Sequence, residues 1–265
     1  MGSRWSLGEE NILRTEMSKL YVGENKSISE IAGILSISEK TVYKRLKRLG
    51  IKTSPERKSG YRNKRIGVKI PSEINPTLAE FLGIMLGDGQ LTHFQIKVTL
   101  GSKELEYVQY VSSLMNSLFN VDSSVCVRKT GYRDVYFGSV DVSDWLFNLG
   151  LKKNKVDEQV DIPECVISKR NVYKDFIRGF FDTDGSVYAL KYGIQISFTN
   201  FSIPFLQSLR KMLIELEYKP SKISCNKVYL TNKDDVARFF TDVIPKNQKH
   251  IKRFERICAG VRVVK

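Results

Sequence analysis

Phe81-Leu82-Gly83-Ile84-Met85-Leu86-Gly87-Asp88-Gly89 and Ile177-Arg178-Gly179-Phe180-Phe181-Asp182-Thr183-Asp184-Gly185 are two versions of one nonamer in a chain of 265 residues. Each closes an apolar helical pattern, expected over 77–88 and 172–184, and each stops at a glycine. Gly83 and Gly87 lie four residues apart, as do Gly179 and Thr183, so each pair shares one face of its helix. Glycine inside a helix costs about 1 kcal/mol relative to alanine. Small residues repeated on one face therefore point to two backbones in close approach. Glycine suits the left-handed position just past a helix end. Aspartate there is electrostatically unfavourable, because the carboxyl end of a helix already carries partial negative charge. A single Asp-Gly is commonly no more than a helix running into a turn. Two of them, on helices that pack in parallel, bring like charges together. A divalent cation relieves that repulsion: carboxylate oxygens suit Mg²⁺, and metals so held suit in-line cleavage of a phosphodiester.

Working outward, the segment after each nonamer is also duplicated. After the first comes a strand with Phe94, Ile96 and Val98 on one face and Gln95, Lys97 and Thr99 on the other. A helix is expected over about 103–119, then strands near 124–128 and 132–139 turning at Thr130-Gly131, then a short helix over 142–149. After the second comes a hairpin over 186–199 turning near Tyr192-Gly193, with Ile194, Ile196 and Phe198 opposite Gln195, Ser197 and Thr199. A helix over about 203–216 tolerates Pro204 in its first turn. Strands near 222–224 and 228–231 come next, then a helix capped by Asn232. Each unit reads α-β-β-α-β-β-α. One-faced strands covered by helices predict an α+β fold with each sheet's polar face left free. The chain divides into an all-α region (1–53), a linker rich in Lys, Arg, Gly, Ser and Pro (54–75), a first repeat (76–160), and a second repeat with a carboxyl-terminal helix (161–265).

Composition narrows the partner. Lys+Arg number 43 against Asp+Glu 29, a net charge of +14, which favours a polyanion, most often nucleic acid. No apolar run approaches the ~18 residues that span a membrane, and the amino end carries no apolar signal-peptide core. Four cysteines without a Cys-x-x-Cys pair, and only His93 and His250, argue against a disulfide framework and against zinc. The expected setting is a reducing intracellular compartment, cytoplasm or nucleoid, with no membrane partner and no organic cofactor.

The two nonamers and the repeated α-β-β-α-β-β-α pattern resemble the LAGLIDADG homing endonucleases in their monomeric, two-motif form, over roughly residues 76–255. The resemblance implies a pseudo-twofold fold whose saddle-shaped sheets straddle the DNA major groove. It also implies Mg²⁺-dependent cleavage of both strands across the minor groove of a long, specific target, with Mn²⁺ substituting. Asp88 and Asp184 carry over as metal ligands, with Gly87 and Thr183 beside them in the expected metal neighbourhood. Leu86 stands where the motif has its first aspartate, which Asp182 retains; that position is not a metal ligand in the family. The family places a basic residue beside each metal site. Lys155 and Lys249 are the candidates, each six residues beyond a closing-helix residue, Leu149 and Val243. A lysine there can stabilise charge developing on a phosphate or polarise the attacking water; the alternative is a solvated surface charge. Ser102 and Asn200 are weaker candidates for positioning water.

The polar strand faces offer Gln95, Lys97 and Thr99 in the first repeat and Gln195, Ser197 and Thr199 in the second, with Arg128, Tyr132, Lys191, Lys222 and Tyr229 nearby. A two-stranded ribbon fits the major groove, where Gln reads adenine and Arg or Lys reads guanine. A second reader is expected near the amino end, where residues 27–46 resemble a helix-turn-helix. Ile31, Leu35, Ile37, Val42 and Leu46 supply its core, Ala32 lets the helices cross, and Ser38 caps a second helix exposing Lys40, Thr41, Tyr43 and Lys44. In the linker, Arg57, Lys58, Arg62 and Lys64 are expected to track phosphates or a minor groove. The leading function is a site-specific double-stranded DNA endonuclease, intron-encoded or free-standing. An intein is not expected, since the amino end lacks Cys or Ser and the carboxyl end lacks His-Asn. The competing functions are a non-catalytic DNA-binding transcriptional regulator on the same scaffold and an intron RNA maturase with RNA as a further partner. Retention of both Asp88 and Asp184 favours cleavage.

Overall fold

The structure, a computed structural model, describes residues 7–24, 26–51, 53 and 67–260. Arg57, Lys58, Arg62 and Lys64 lie outside the described residues. The chain divides into two compact units, residues 1–64 and 65–265.

In the first unit, α1 (Leu7–Ser18) runs into a π-helical turn, Lys19–Gly23, followed by α2 (Ile28–Leu35) and α3 (Glu39–Arg48). Ser27 and Glu30 form a reciprocal capping box at the start of α2: Glu30 N donates to Ser27 Oγ (3.2 Å), and Ser27 N donates to Glu30 Oε2 (2.7 Å). Ser36, left-handed at φ 50°, ends α2, and Ser38 Oγ accepts from Thr41 N (3.2 Å) to start α3. Ile31, Val42 and Leu46 are fully buried with Met17 and Tyr21. α2 and α3, joined by this tight, capped turn, close over one small core.

The second unit begins with α4 (Pro76–Leu86), the hairpin β1 (Gly89–Leu91) and β2 (Gln95–Leu100), α5 (Leu105–Phe119), β3 (Ser124–Val127), β4 (Arg133–Gly138) and α6 (Val140–Asn148). A short α7 (Glu164–Ile167) leads to α8 (Tyr173–Asp184), β5 (Gly185–Leu190), β6 (Gly193–Thr199), α9 (Ile203–Glu215), β7 (Lys227–Leu230), α10 (Lys233–Asp242) and α11 (Gln248–Cys258). Two antiparallel sheets result, ordered β1-β2-β4-β3 and β5-β6-β7. The fold is α+β and built from two repeats, each led by one of the nonamer helices. One continuous apolar core joins them, with Phe81, Phe119, Phe180, Phe181 and Phe205 fully buried within it.

Three local expectations are corrected. Phe94 is 46% exposed and precedes β2, so the buried face of that strand is Ile96, Val98 and Leu100 rather than Phe94, Ile96 and Val98. The strand expected at 222–224 does not form. Cys225 and Asn226 are both left-handed (φ 47° and 59°), and this tight reversal leaves only an isolated bridge between Ser224 and Lys227. The second sheet therefore has three strands where the first has four. Finally, the end of the expected linker is docked on the second unit. Lys69 N donates to Phe119 O (2.9 Å), Asn120 Nδ2 donates to Gly67 O (3.0 Å), and Val68 and Ile74 pack on the core.

Candidate metal centre and nucleic-acid interface

The glycines of the nonamers explain how α4 and α8 pair. A Cβ on Gly83 would collide with the carbonyl of Phe176 and lie 2.8 Å from Phe180 N. One on Gly179 would collide with the carbonyl of Glu80 and lie 3.0 Å from Ile84 N. A Cβ on Gly87 would instead collide with the side-chain hydroxyl of Thr183. The helices therefore run parallel with backbones in contact. The contacts also exchange under the 96-residue offset that takes Asp88 to Asp184: Gly83 becomes Gly179, Glu80 becomes Phe176, and Ile84 becomes Phe180. Along this seam the chain obeys a local twofold.

That seam delivers Asp88 and Asp184 to the same end of the helix pair. The pKa of Asp184 is raised to about 7, first by burial and then by the charge of Asp88, against the pull of Lys155 and Lys249. Asp88 is raised as well, first by burial, with Lys249 and Lys155 opposing and Glu104 adding to the shift. Both carboxylates are half-buried, and Asp184 feels the charge of Asp88.

The two lysines reach this place by different routes. Lys155 Nζ donates to the carbonyls of Met85 (3.1 Å), Leu86 (3.2 Å) and Gly87 at the end of α4. Burial lowers its pKa, while Asp184 and Asp88 hold it up. Lys249 Nζ instead pairs with Glu104 Oε1 at 2.8 Å, and Asn247 Nδ2 donates to the same oxygen, also at 2.8 Å. Burial opposes ionisation of Glu104, but these donors outweigh it and its pKa falls below the usual carboxylate value. Sequence reading missed both Glu104 and Asn247. Glu104 sits in an ordinary helix-start segment, and only the fold carries it to the other repeat.

Asp182 is almost fully buried, 1% exposed. Its Oδ2 accepts from Lys246 N (2.8 Å), its carbonyl accepts from Asn247 Nδ2 (2.9 Å), and its Oδ1 has no partner among the described residues. Burial raises its pKa to about 7. The Thr183 hydroxyl donates back into its own helix, to Phe180 O (2.9 Å) and Gly179 O (3.2 Å). Of the two residues grouped with the aspartates, Thr183 thus has only its carbonyl to offer, and the Gly87 carbonyl is already taken by Lys155. Of the weaker candidates, Asn200 is engaged elsewhere, its Oδ1 accepting from Ser202 N (2.8 Å), whereas Ser102 uses only its backbone carbonyl, which accepts from Arg133 (2.5 Å).

On the first sheet, Gln95, Lys97 and Thr99 alternate with buried neighbours and are half-exposed. Thr99 Oγ1 donates to Asp134 Oδ1 (2.7 Å), and Arg128 pairs with Asp134 and donates to Thr99 Oγ1 (3.1 Å). Asp134 thus places an acid, unforeseen from the sequence, between two expected readers. Tyr132 is exposed. On the second sheet Lys191 and Lys222 are exposed and Thr199 and Tyr229 half-buried, while Gln195 Oε1 accepts from Tyr188 OH (2.5 Å). Ser197 is a correction. It is 4% exposed, flanked across the strands by Ser186 and Tyr229, and cannot read a base without a rearrangement. In α3, Lys40 and Lys44 are exposed, but Thr41 is half-buried and its hydroxyl shares a hydrogen bond with Ser38 (2.8 Å). Tyr43 packs on the small core instead of standing free.

Residues 171–243 match the family model described as LAGLIDADG-like domain. This part of the chain is similar to LAGLIDADG-like domains. The match begins just before α8, so it contains the second nonamer and Asp184. The replication factor C small subunit of Methanocaldococcus jannaschii is 25% identical over 194 residues, which are 70% of this chain and 10% of that protein. An A-type ATP synthase subunit of Pyrococcus abyssi is 28% identical over 119 residues, 44% of this chain and 11% of that protein. The chain spans about a tenth of the length of these curated relatives. Among solved structures, the N-terminal LAGLIDADG domain of DUF199/WhiA aligns with a TM-score of 0.48 and 19% identity, covering 66% of this chain and 85% of that one. I-DmoI in complex with DNA and Mn aligns with a TM-score of 0.45 and 16% identity, covering 64% of this chain and 96% of that one.

The donor set here suits a hard divalent cation. Asp184 feels the charge of Asp88 in a half-buried site, and the Lys155 ammonium already stands on the helix-end carbonyls. Among the described residues no group of three or more His, Cys, Asp or Glu is placed to hold a metal alone. Mg²⁺ commonly binds through one or two carboxylates and completes its shell with waters and substrate phosphates.

Proposed function

We propose that the protein is a site-specific, double-stranded DNA endonuclease that hydrolyses phosphodiesters with Mg²⁺ or Mn²⁺. The observation that carries this reading is the convergence of Asp88 and Asp184, both half-buried, at one end of a glycine-seamed helix pair. Asp88 and Asp184 would hold the cation, with the Thr183 carbonyl beside them and the Gly87 carbonyl occupied by the Lys155 ammonium. When bound, the metal supplies Lewis-acid stabilisation of phosphoryl oxygens and a more acidic water. Lys155, half-buried and close enough to feel the charge of both aspartates, is assigned to neutralising charge on the scissile phosphate. Lys249, held ready by Glu104 and Asn247, takes the corresponding role on the other strand. The half-exposed residues Gln95, Lys97, Gln195 and Thr199 are assigned to base readout, and the basic residues of α3 to a second, flanking contact.

A target selected from a randomised or host-genome library provides the test. Wild type is expected to make Mg²⁺-dependent double-strand breaks in it, whereas Asp88→Asn and Asp184→Asn bind but do not cut. Tight, specific binding by wild type with no cleavage in either Mg²⁺ or Mn²⁺ would overturn the reading. It would leave DNA binding without chemistry, with Lys155 as the permanent counter-ion of the two aspartates.

A further inference from the structure

The last described helix carries a charge pattern that the site above does not use. In α11, Lys249, Lys252, Arg253 and Arg256 fall at i, i+3, i+4 and i+7, which makes one stripe along one helix face. The other face is anchored. His250 is 2% exposed and packs on Phe181 at 4.6 Å. Phe254 stacks on Phe240 at 3.9 Å, and Ile257 packs on the core. The stripe is thus held outward by the packing of its own helix. It begins at Lys249, which acts electrostatically on both Asp88 and Asp184.

Two features make the stripe unfavourable for a helix standing alone. Neighbouring like charges three or four residues apart are destabilising by a few tenths of a kcal/mol each. Lys249 and Lys252 also lie in the first turns, where the helix dipole disfavours cations. Some helix charges elsewhere have an acidic neighbour one turn away, as in Lys211–Glu215 on α9 and Arg238–Asp235 on α10. Among the described residues Lys252, Arg253 and Arg256 make no ion pair, and Arg253 Nε is buried without a hydrogen-bond partner. A row of phosphates supplies the missing counter-charge.

We propose that the basic face of α11 is a phosphate-backbone site, along which one strand of duplex DNA runs outward from the cleavage centre. From Lys249 to Arg256 is seven residues, about 10 Å at 1.5 Å each. That length spans about three nucleotide steps of one strand at about 3.4 Å each. The contact carries no sequence information; it fixes register, so that the scissile phosphate sits over the aspartates. This inference rests on the DNA-binding part of the function proposed above.

The test measures affinity for a random-sequence duplex of about 40 base pairs, by fluorescence anisotropy, as a function of salt. Each lost phosphate contact lowers the slope of log affinity against log salt by about 0.9. The triple variant Lys252→Gln/Arg253→Gln/Arg256→Gln is expected to lose about 2 to 3 from that slope. The double variant Lys252→Gln/Arg256→Gln, which leaves half-buried Arg253 in place, is expected to lose a little under 2. Lys169→Gln/Lys174→Gln/Lys211→Gln, which removes equal charge from other surfaces, is expected to change it little. Unchanged slopes in both stripe variants, with wild-type circular dichroism, would overturn the phosphate site while sparing DNA binding. An equal drop in the control variant would reduce it to general charge. Absence of any duplex binding by wild type would overturn the DNA reading itself.

Discussion

The two repeats bring the same seam to the same place and then finish it differently. Leu86 and Asp182 occupy equivalent positions, 96 residues apart, one apolar and one a carboxyl with an unpartnered buried oxygen. The backbone carbonyls at the two helix ends differ as well. Those of α4 accept a lysine ammonium from Lys155. That of Asp182 accepts Asn247 Nδ2, with the His250 ring at 3.4 Å. Lys155 and Lys249 have similar spacing in sequence, yet one lies on its own repeat's motif helix and the other is tied to Glu104 of the opposite repeat. The lesson is that duplication fixes the backbone contact, where any Cβ would collide, and leaves the polar shell around it free to diverge.

The largest effect is expected where the halves are most alike. If each repeat supplies one metal ligand, Asp88→Asn and Asp184→Asn each reduce double-strand cleavage about a thousandfold or more, the scale of losing a preorganised electrostatic group. Single-turnover cleavage of the selected target measures this, and a variant that keeps near-wild-type rates would break the equivalence of the two aspartates. Next in size is the seam. Gly83→Ala and Gly179→Ala each place a methyl group against backbone, and each should cost about 3 kcal/mol by urea unfolding, the upper end of ordinary overpacking. Gly33→Ala in α2 is the contrast, because nothing lies within 4 Å of its Cβ; it should be neutral or stabilising by about 0.5–1 kcal/mol. A large difference between the Gly83 and Gly179 losses would show that the twofold seam is not shared equally.

The parts legible in the sequence are those with a period or a steric demand. Helix and strand alternation locates both repeats, and the four-residue spacing of Gly83 and Gly87 announces the backbone contact. The turn at Cys225-Asn226 escapes because two non-glycine residues adopt left-handed angles there, which the residue types do not advertise. Phe94 is misplaced because alternation alone does not say where a strand begins. Glu104 and Asn247 carry no local signal at all, since their meeting depends on how α5 and α11 approach across the repeats. Ser197 looks like a reader by alternation, but the width of its neighbours, Tyr188 and Tyr229, decides its exposure. Charges and glycines are therefore readable where one chain segment sets their role, and unreadable where two segments do.

The lysines give the next contrast. Lys155 is half-buried against helix-end carbonyls and feels the charge of both aspartates, whereas the Lys249 side chain is 47% exposed and paired with Glu104. Lys155→Met should therefore lower single-turnover cleavage about 100-fold and Lys249→Met about tenfold, within the range of such electrostatic groups. Equal losses would restore the symmetry that the structure denies. Glu104→Gln, which frees Lys249 from its ion pair, should change the Lys249-dependent part and leave the Lys155-dependent part intact; additivity with Lys155→Met in the double variant checks that separation.

The smallest expected effect separates Asp182 from the histidine that packs beneath it. Burial, with Lys249 nearby, lowers the His250 pKa to about 3, so the folded protein keeps the ring neutral while the unfolded chain protonates it below about 6.5. Its contribution to stability is complete above that value and is lost as pH falls toward 3, by about 1.4 kcal/mol per pH unit at most. Asp182 does the opposite. Its folded pKa is raised to about 7, so its contribution is complete at low pH and is lost as pH rises from about 4 to 7. Unfolding free energies of wild type minus His250→Gln should therefore grow as pH rises from 4 to 6.5 and then level off. Wild type minus Asp182→Asn should shrink over the same interval. The first repeat has Leu86 at the position of Asp182 and titrates nothing there, so Leu86→Met should show a pH-independent difference from wild type. Parallel pH curves for His250→Gln and wild type would mean that the ring protonates in the fold as readily as in the unfolded chain, so that below about 6.5 the carbonyl of Asp182 accepts a charged donor as the first helix does.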